Sequence, residues 1–361
     1  MFSFGCFLLY RGDEMSQFLN YAIQLAQMVE GQTGTNPPVG AVVVKQGRIV
    51  GIGAHLQKGD KHAEVQALDM AGEQAHGGSI YVSLEPCTHY GSTPPCINKI
   101  ISAGIQKVVY AVKDTTLNTH GDDVLQQSGI QVEFRHQPEA ESLYRDFFIT
   151  KRQSVPKVTV KVSCSLDGKQ ATDEAQSKWI TNKAVKKDVF HLRHDHDAVL
   201  TGKGTLMEDN PQYTTRIEDG KHPIRVILSK SGQIDFDLDI FHNQSEPIWI
   251  YTENKALQAE IENVEIICLS NCSIENIVKD LYEKGIGRLL VEAGPTVTSE
   301  FLQSNYTNEL ILYYAPKIIG GSGNYQFFQT KNIFDLSEVP HFEIVNSHMI
   351  EQNIKLTLRK K

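Results

Sequence analysis

Two consecutive α/β domains are predicted, and three observations predict them. The chain has 361 residues, more than one ordinary domain and comfortable for two. Short β-branched runs alternate with helical periodicity along its length. A polar stretch ending in proline, Thr150-Lys151-Arg152-Gln153-Ser154-Val155-Pro156, interrupts that alternation and places the domains at 15–150 and 151–361. Hydrophobic residues at 40% against charged residues at 22% suit a globular chain whose core needs no disulfide scaffold.

The first domain opens on a helix expected over 16–30, where Ser16 can cap and Leu19, Ile23 and Ala26 recur at helical spacing. The fourteen residues before Met15 are foreign in character to the rest of the chain. They lack the basic region and small-residue cleavage site of a signal peptide, and Arg11-Gly12-Asp13-Glu14 is what a purine-rich ribosome-binding site would encode. Met15 is therefore the expected start, with a short apolar arm as the alternative. Strands at 39–44 and 48–53 flank the turn Lys45-Gln46-Gly47 and form a hairpin. A helix from Ala63 to about Gly72, a strand at 79–84, a Cys- and Pro-rich loop, a helix near 95–103 and a strand at 108–112 come next. One more helix–strand alternation to Phe134 completes a three-layer α/β sandwich. In the second domain strands are expected at 157–162, 198–201, 224–228, 248–252, 289–291, 310–314 and 354–358, with helices between several of them and no internal repeat.

A net charge of −8 argues against a nucleic-acid partner, which would ask for a basic excess. No stretch reaches the roughly 20 apolar residues of a membrane span. Six sparse, irregularly spaced cysteines are unlike a secreted disulfide framework and fit a reducing cytoplasm. Small-molecule substrates and a homo-oligomeric assembly are expected.

The strongest chemical signal is His62-Ala63-Glu64 followed by Pro86-Cys87 and by Cys96. One histidine and two cysteines suit zinc and leave a fourth position for water, whose pKa then falls toward about 7. Glu64, two residues from the histidine in the first turn of a helix, can take that water's proton and return it to a ring nitrogen and the departing ammonia. This is the H-x-E…P-C-x-x-C pattern of zinc nucleobase deaminases, except that eight residues rather than two separate Cys87 from Cys96.

The long insert carries a resemblance. His62-Ala63-Glu64, then Leu84-Glu85-Pro86-Cys87-Thr88-His89-Tyr90-Gly91-Ser92-Thr93-Pro94-Pro95-Cys96, with Asn36-Pro37-Pro38-Val39-Gly40 upstream, resembles the bifunctional riboflavin-biosynthesis deaminase/reductase family. The resemblance runs from about residue 16 to the C-terminus. It implies a cytidine-deaminase-like first domain and a dihydrofolate-reductase-like second domain. It also implies deamination of 2,5-diamino-6-(5-phosphoribosylamino)pyrimidin-4(3H)-one, then NADPH-dependent reduction of the ribosyl group of 5-amino-6-(5-phosphoribosylamino)uracil to ribityl. Asn36, His55 and Asp114 would contact the deaminase substrate. A turn asparagine and a half-buried strand-end histidine are the plainer readings of the first two. The family's Asp-Pro-Asn-Pro loop is here Asp114-Thr115-Thr116-Leu117, so only its aspartate survives.

In the second domain no G-x-G-x-x-G occurs, so a Rossmann site is not indicated. Instead Val199-Leu200-Thr201-Gly202-Lys203-Gly204-Thr205 and Leu290-Val291-Glu292-Ala293-Gly294-Pro295-Thr296 each put glycine between a strand and a helix, where backbone N–H groups and the helix dipole favour phosphate. Each is weak alone; together they suit a cofactor's phosphates. These segments, with Ser165-Leu166-Asp167-Gly168, Ser177-Lys178-Trp179-Ile180-Thr181 and Asp209-Asn210-Pro211, resemble the family's reductase. The resemblance implies an NADPH site at Cys164, Trp179, Thr205, Asp209, Ser229 and the run Gly294, Pro295, Thr296, Val297, Thr298, Ser299 and Glu300. It implies a ribose-phosphate site at Ser177, Arg193, Tyr213, Arg216 and Glu292, with the two arginines as forked donors to phosphate. Asp209 or Glu292 would assist proton delivery. A tRNA or free-base deaminase with an unrelated second domain, or a scaffold holding zinc for folding alone, are the competing readings. The acidic charge, the long cysteine spacing and the presence of Glu64 count against them.

Overall fold

The computed structural model describes residues 14–88, 94–117, 121–242, 246–331 and 335–361, with side chains from Ser16 onward. The chain divides into two compact units at Arg152/Gln153. Residues 1–13 and most of the insert between Cys87 and Cys96, at 89–93, lie outside the described residues.

The first unit runs α1 (Glu14–Met28), β1 (Gly40–Lys45), β2 (Arg48–Ala54), α2 (Ala63–Ala71), β3 (Ser79–Val82), α3 (Cys96–Ser102), β4 (Lys107–Tyr110), α4 (Asp122–Gln127), β5 (Gln131–Phe134) and α5 (Pro138–Gln153). Helix α1 already begins at Glu14, so Ser16 sits inside it and is not its cap. The sheet order is β2-β1-β3-β4-β5, with β1 antiparallel to both neighbours and β3, β4 and β5 parallel. Strand alternation divides the core. Ala41, Val43, Ile80, Val82, Val108 and Tyr110 pack under α2, α3 and α4, while Val42, Val44, Tyr81 and Val109 pack under α1 and α5. That is the expected three-layer sandwich. Helix α2 lies unusually close to the sheet. A Cβ on Gly51 or Gly53 of β2 would stand 2.1 Å from the Ala67 carbonyl oxygen or 2.2 Å from that of Ala63, so only glycine permits the contact.

The second unit runs β6 (Lys157–Ser165), α6 (Lys183–His194), β7 (Ala198–Gly202), α7 (Lys203–Asp209), β8 (Ile224–Leu228), β9 (Ile248–Thr252), β10 (Val264–Cys268), α8 (Ile274–Glu283), β11 (Arg288–Val291), α9 (Pro295–Gln303), β12 (Thr307–Ala315), β13 (Phe342–Ile350) and β14 (Asn353–Lys360). Its sheet order is β10-β9-β8-β7-β11-β6-β12-β14-β13. Strands from β10 to β12 are parallel and the last two form an antiparallel hairpin. Val158, Val160, Val162 and Cys164 of β6 join the core on the face covered by α8 and α9; Val185 and Val189 of α6 pack on the other face. Parallel strands buried on both faces read as continuous apolar runs, which is why β7, β8 and β9 were legible from the sequence. Strands β10 and β13 were not expected. Both are edge strands, and their mixed patterns, VEIIC and FEIVNSHMI, reflect partial exposure.

His196, just before β7, is buried, with Nδ1 2.6 Å from the Leu192 carbonyl oxygen and Nε2 without a partner. Burial first, then the Arg288 charge, push its pKa down to about 3. The unfolded chain, with a histidine near 6.5, therefore takes up the proton first. The stabilisation is present above pH 6.5 and is lost as pH falls toward 3, at up to about 1.4 kcal/mol per pH unit. Melting curves between pH 7 and 4.5 are expected to show a shallower acid loss for His196→Asn than for the wild type; parallel pH slopes would contradict this.

Candidate active sites

In the first unit the tight packing of α2 on β2 presents the start of that helix at the end of the sheet. His62 is its N-cap residue and Glu64 lies in its first turn, 3% exposed. Cys96 opens α3 after Pro95, and Cys87 lies in the loop following β3. The three converge. His62 Nδ1 is 3.0 Å from Cys96 Sγ and 3.5 Å from Cys87 Sγ, and the two sulfurs are 3.2 Å apart. The Cys96 backbone N–H also donates to Cys87 Sγ, at 3.2 Å. Among the described residues this is the group whose donor atoms, all within 4.8 Å of one another, could hold a metal ion. One imidazole and two cysteine sulfurs, bound as thiolates, are a donor set zinc takes, so the residues present fit that ion.

The electrostatics suit proton transfer. Burial first, then the negative charge of the Cys87 thiolate, push the Glu64 carboxyl up to about 7, the range in which a carboxyl both gives and takes protons at neutral pH. The Cys96 thiol beside it holds Cys87 down at about 4 as a thiolate, and Cys96 is held well above its ordinary value in return.

Asn36 and His55 stand beside this group. Asn36 Nδ2 lies 3.2 Å from His55 Nε2, and the His55 ring meets the His62 ring edge-on with centroids 5.3 Å apart. His55 is 3% exposed; burial, then the His62 charge, lower its pKa against a backbone hydrogen bond at Lys61 that raises it. Asp114 is differently engaged: its Oδ1 accepts from the Thr116 N–H and hydroxyl at 2.9 and 2.6 Å, while its own N–H donates to Glu85 Oε2 at 3.1 Å. Its carboxylate closes a local turn.

In the second unit a cavity of about 380 Å³ brings together Ser177, Trp179, Arg193, Thr205, Asp209, Tyr213, Arg216, Glu292, Gly294 and Pro295. Gly202 and Gly294 cap α7 and α9, and the Gly294 N–H donates to Thr205 Oγ1 at 2.8 Å, tying the two helix starts together. Trp179, Tyr213 and Arg216 adopt φ of 72°, 54° and 51°; left-handed backbone at non-glycine residues concentrates at functional sites. The Ser177 hydroxyl donates to Asp209. Tyr213 donates to Thr201 Oγ1 at 2.7 Å and lies 3.2 Å from the Glu292 carbonyl oxygen.

At the cavity floor Arg193 grips Glu292 with both arms, Nε to Oε1 at 2.7 Å and Nη2 to Oε2 at 3.0 Å, while Nη1 donates to the Thr214 carbonyl at 3.0 Å. Burial alone would raise the Glu292 pKa, but Arg193 and Lys161 bring it down to about 2, so this group stays a carboxylate. Lys161, with Nζ 3.4 Å from Glu292 Oε2, is a cavity residue that sequence reasoning missed. The available signal was a charge in the middle of KVTVKVS, in a strand buried on both faces where charge is expensive.

Other residues implied by the resemblance lie outside the cavity. Cys164 is in the core. Ser229, 2% exposed at the end of β8, has a hydroxyl without a partner. Thr296 is exposed. Val297 packs where a Cβ on Gly202 would be. Thr298 and Ser299 donate to the carbonyls of Ala293 and Pro295 at 3.0 and 2.6 Å, and Glu300 faces Lys230 at 3.7 Å. Among the described residues no helix is long and apolar enough to cross a membrane.

Fold and sites together define a zinc-type deaminase joined to a reductase. Residues 13–112 match the cytidine and deoxycytidylate deaminase zinc-binding region, and 156–356 match the RibD C-terminal domain. The chain belongs to the RibD family of riboflavin biosynthesis proteins. It is 39% identical to riboflavin biosynthesis protein RibD of Bacillus amyloliquefaciens over 94% of this chain and 95% of that one. It is 32% identical to RibD of Escherichia coli K12 over 94% and 98%. The crystal structure of a diaminohydroxyphosphoribosylaminopyrimidine deaminase/5-amino-6-(5-phosphoribosylamino)uracil reductase from Thermotoga maritima superposes with a TM-score of 0.85 at 34% identity, covering 96% of this chain and 99% of that one.

Proposed function

We propose that the chain catalyses two successive steps of riboflavin biosynthesis: hydrolytic deamination of the diaminopyrimidinone ribosylamino phosphate at residues 15–150, then NADPH-dependent reduction of the resulting uracil's ribosyl group to ribityl at residues 151–361. The observation that carries the reading is the convergence of His62, Cys87 and Cys96 beside buried Glu64, in a chain whose second unit holds a separate cationic cavity.

When bound, zinc supplies a nucleophile at neutral pH and Lewis acidity. His62, Cys87 and Cys96 would hold it. Glu64 takes up the attacking water's two protons in turn, passing the first to the ring nitrogen and the second to the leaving amine, and so exchanges C–NH2 for C=O with release of ammonia. Asn36 and His55, set against each other at 3.2 Å beside the metal ligands, orient the pyrimidine. In the second unit NADPH supplies the hydride. The starts of α7 and α9, tied together by the Gly294 N–H on Thr205 Oγ1, turn their positive dipole ends to its phosphates, and the orphaned Ser229 hydroxyl offers a contact to its ribose. Asp209, bonded to Ser177, or Glu292, with Lys161 against it, assists proton delivery to the sugar. A homo-oligomer in the cytoplasm is the expected setting.

One preparation tests both halves. Ammonia release from the diaminopyrimidine substrate is expected without NADPH, and NADPH oxidation is expected only after deaminated product is present or added. NADPH oxidation on the undeaminated substrate at an equal rate would contradict this order of steps.

A further inference from the structure

Five cations line the second unit's cavity: Lys161, Lys178, Lys186, Arg193 and Arg216. Lys161 and Arg193 face Glu292 at 3.4 and 2.7 Å, and the third arm of Arg193 is taken by Thr214. Lys186 and Arg216 line the same cavity but form no ion pair among the described residues. Each rests on an aromatic face instead: Lys186 Nζ stands 3.6 Å above the Trp179 ring centroid, and the Arg216 guanidinium carbon 5.6 Å from that of Phe190. An aromatic face positions a cation without cancelling its charge. Lys186, Phe190 and Arg193 follow one another at four- and three-residue spacing on α6 and so share one face.

The charge is also crowded. Burial, then the neighbouring charges of Arg216, Lys178 and Lys183, lower the Lys186 pKa. The shelf beneath it is itself an expense of the fold. Trp179 is 55% exposed, in left-handed backbone, with its carbonyl held by Lys317 Nζ at 2.7 Å. A phosphate monoester, carrying about −1.5 to −2 near neutral pH, answers such a pair: the lysine is a point charge and the arginine a fork.

We propose that Lys186, shelved on Trp179, is a specificity-determining residue of the reductase, clamping the substrate's terminal phosphate together with Arg216 and making the enzyme prefer the phosphorylated sugar. This rests on the reading of the cavity as the reductase's substrate site. With Arg193 committed to Glu292, the clamp assigns the phosphate to the two cations that an aromatic face holds in place and no carboxylate neutralises.

The test is steady-state reduction of the phosphorylated and the dephosphorylated substrate by wild type, Lys186→Ala, Lys186→Arg and Arg216→Ala, with calorimetric binding of ribitol 5-phosphate, ribitol and the adenosine bisphosphate half of NADPH. Lys186→Ala is expected to raise KM for the phosphorylated substrate about tenfold or more, the size of a lost charge-assisted contact, with kcat little changed. The same loss appears in ribitol 5-phosphate affinity, Lys186→Arg restores most of it, and ribitol binds as before. Arg216→Ala behaves like Lys186→Ala. An unchanged KM and ribitol 5-phosphate affinity in a Lys186→Ala protein of normal melting temperature would overturn the assignment. So would a loss confined to the adenosine bisphosphate, which would give the cation to the cofactor. A wild type that reduces neither substrate would overturn the underlying reading as well.

Discussion

Cys87→Ser and Cys96→Ser are each expected to leave well under one zinc per chain and to abolish deamination. A serine hydroxyl is a far weaker zinc ligand than a thiolate at neutral pH, and two remaining donors do not close a site. The loss is large because the metal lowers the pKa of its bound water from 15.7 to about 7. Both sulfurs matter for different reasons. Cys96 is buried at the head of α3, and Cys87 sits in a loop, held by the Cys96 N–H. Metal analysis and ammonia release on the same preparations check the result; full zinc occupancy in either variant would remove that cysteine from the ligand set. Cys268→Ser, at an exposed position in the second unit, serves as the control with zinc unchanged.

Glu64→Gln is expected to retain zinc and the fold while deamination falls by about 10²–10⁴-fold, the usual contribution of a positioned acid–base group. Gln keeps the shape and fills the same buried space but can neither accept nor release a proton. The loss falls on kcat more than on KM, because proton transfer is made in the transition state rather than in substrate binding. Zinc content, melting temperature and kcat decide it. A variant within tenfold of wild type would show that another group carries the protons.

The deaminase centre was legible because its chemistry is written in local motifs. HAE sits on one turn of helix, and PC and PPC frame one loop, so few alternative folds separate them. Strands β7, β8, β9 and β11 were legible for a similar reason, as runs buried on both faces. What escaped has physical reasons too. The edge strands β10 and β13 bury little and so carry no clean alternation. Lys161 is single, and its partner Glu292 lies 131 positions away, a pairing no periodicity reports. The commitment of Arg193 to Glu292 is likewise long-range, which is why both arginines looked equally available to phosphate.

The bare seam between β2 and α2 has a consequence for how the first catalytic centre can vary. Ala63, whose carbonyl lies where a Gly53 methyl would go, is the residue between His62 and Glu64. Any side chain at 53 would displace that peptide by about an ångström to reach ordinary contact, carrying the imidazole and the carboxyl outward together. Cys87, in the loop after β3, and Cys96, at the head of α3, would not follow. The distance between the two halves of the centre is thus gauged by the thickness of two peptide planes, a dimension no rotamer can adjust. Drift at the surrounding apolar positions is absorbed by repacking, whereas this ruler is rigid, and the chemistry inherits its tolerance from a hydrogen atom on a strand.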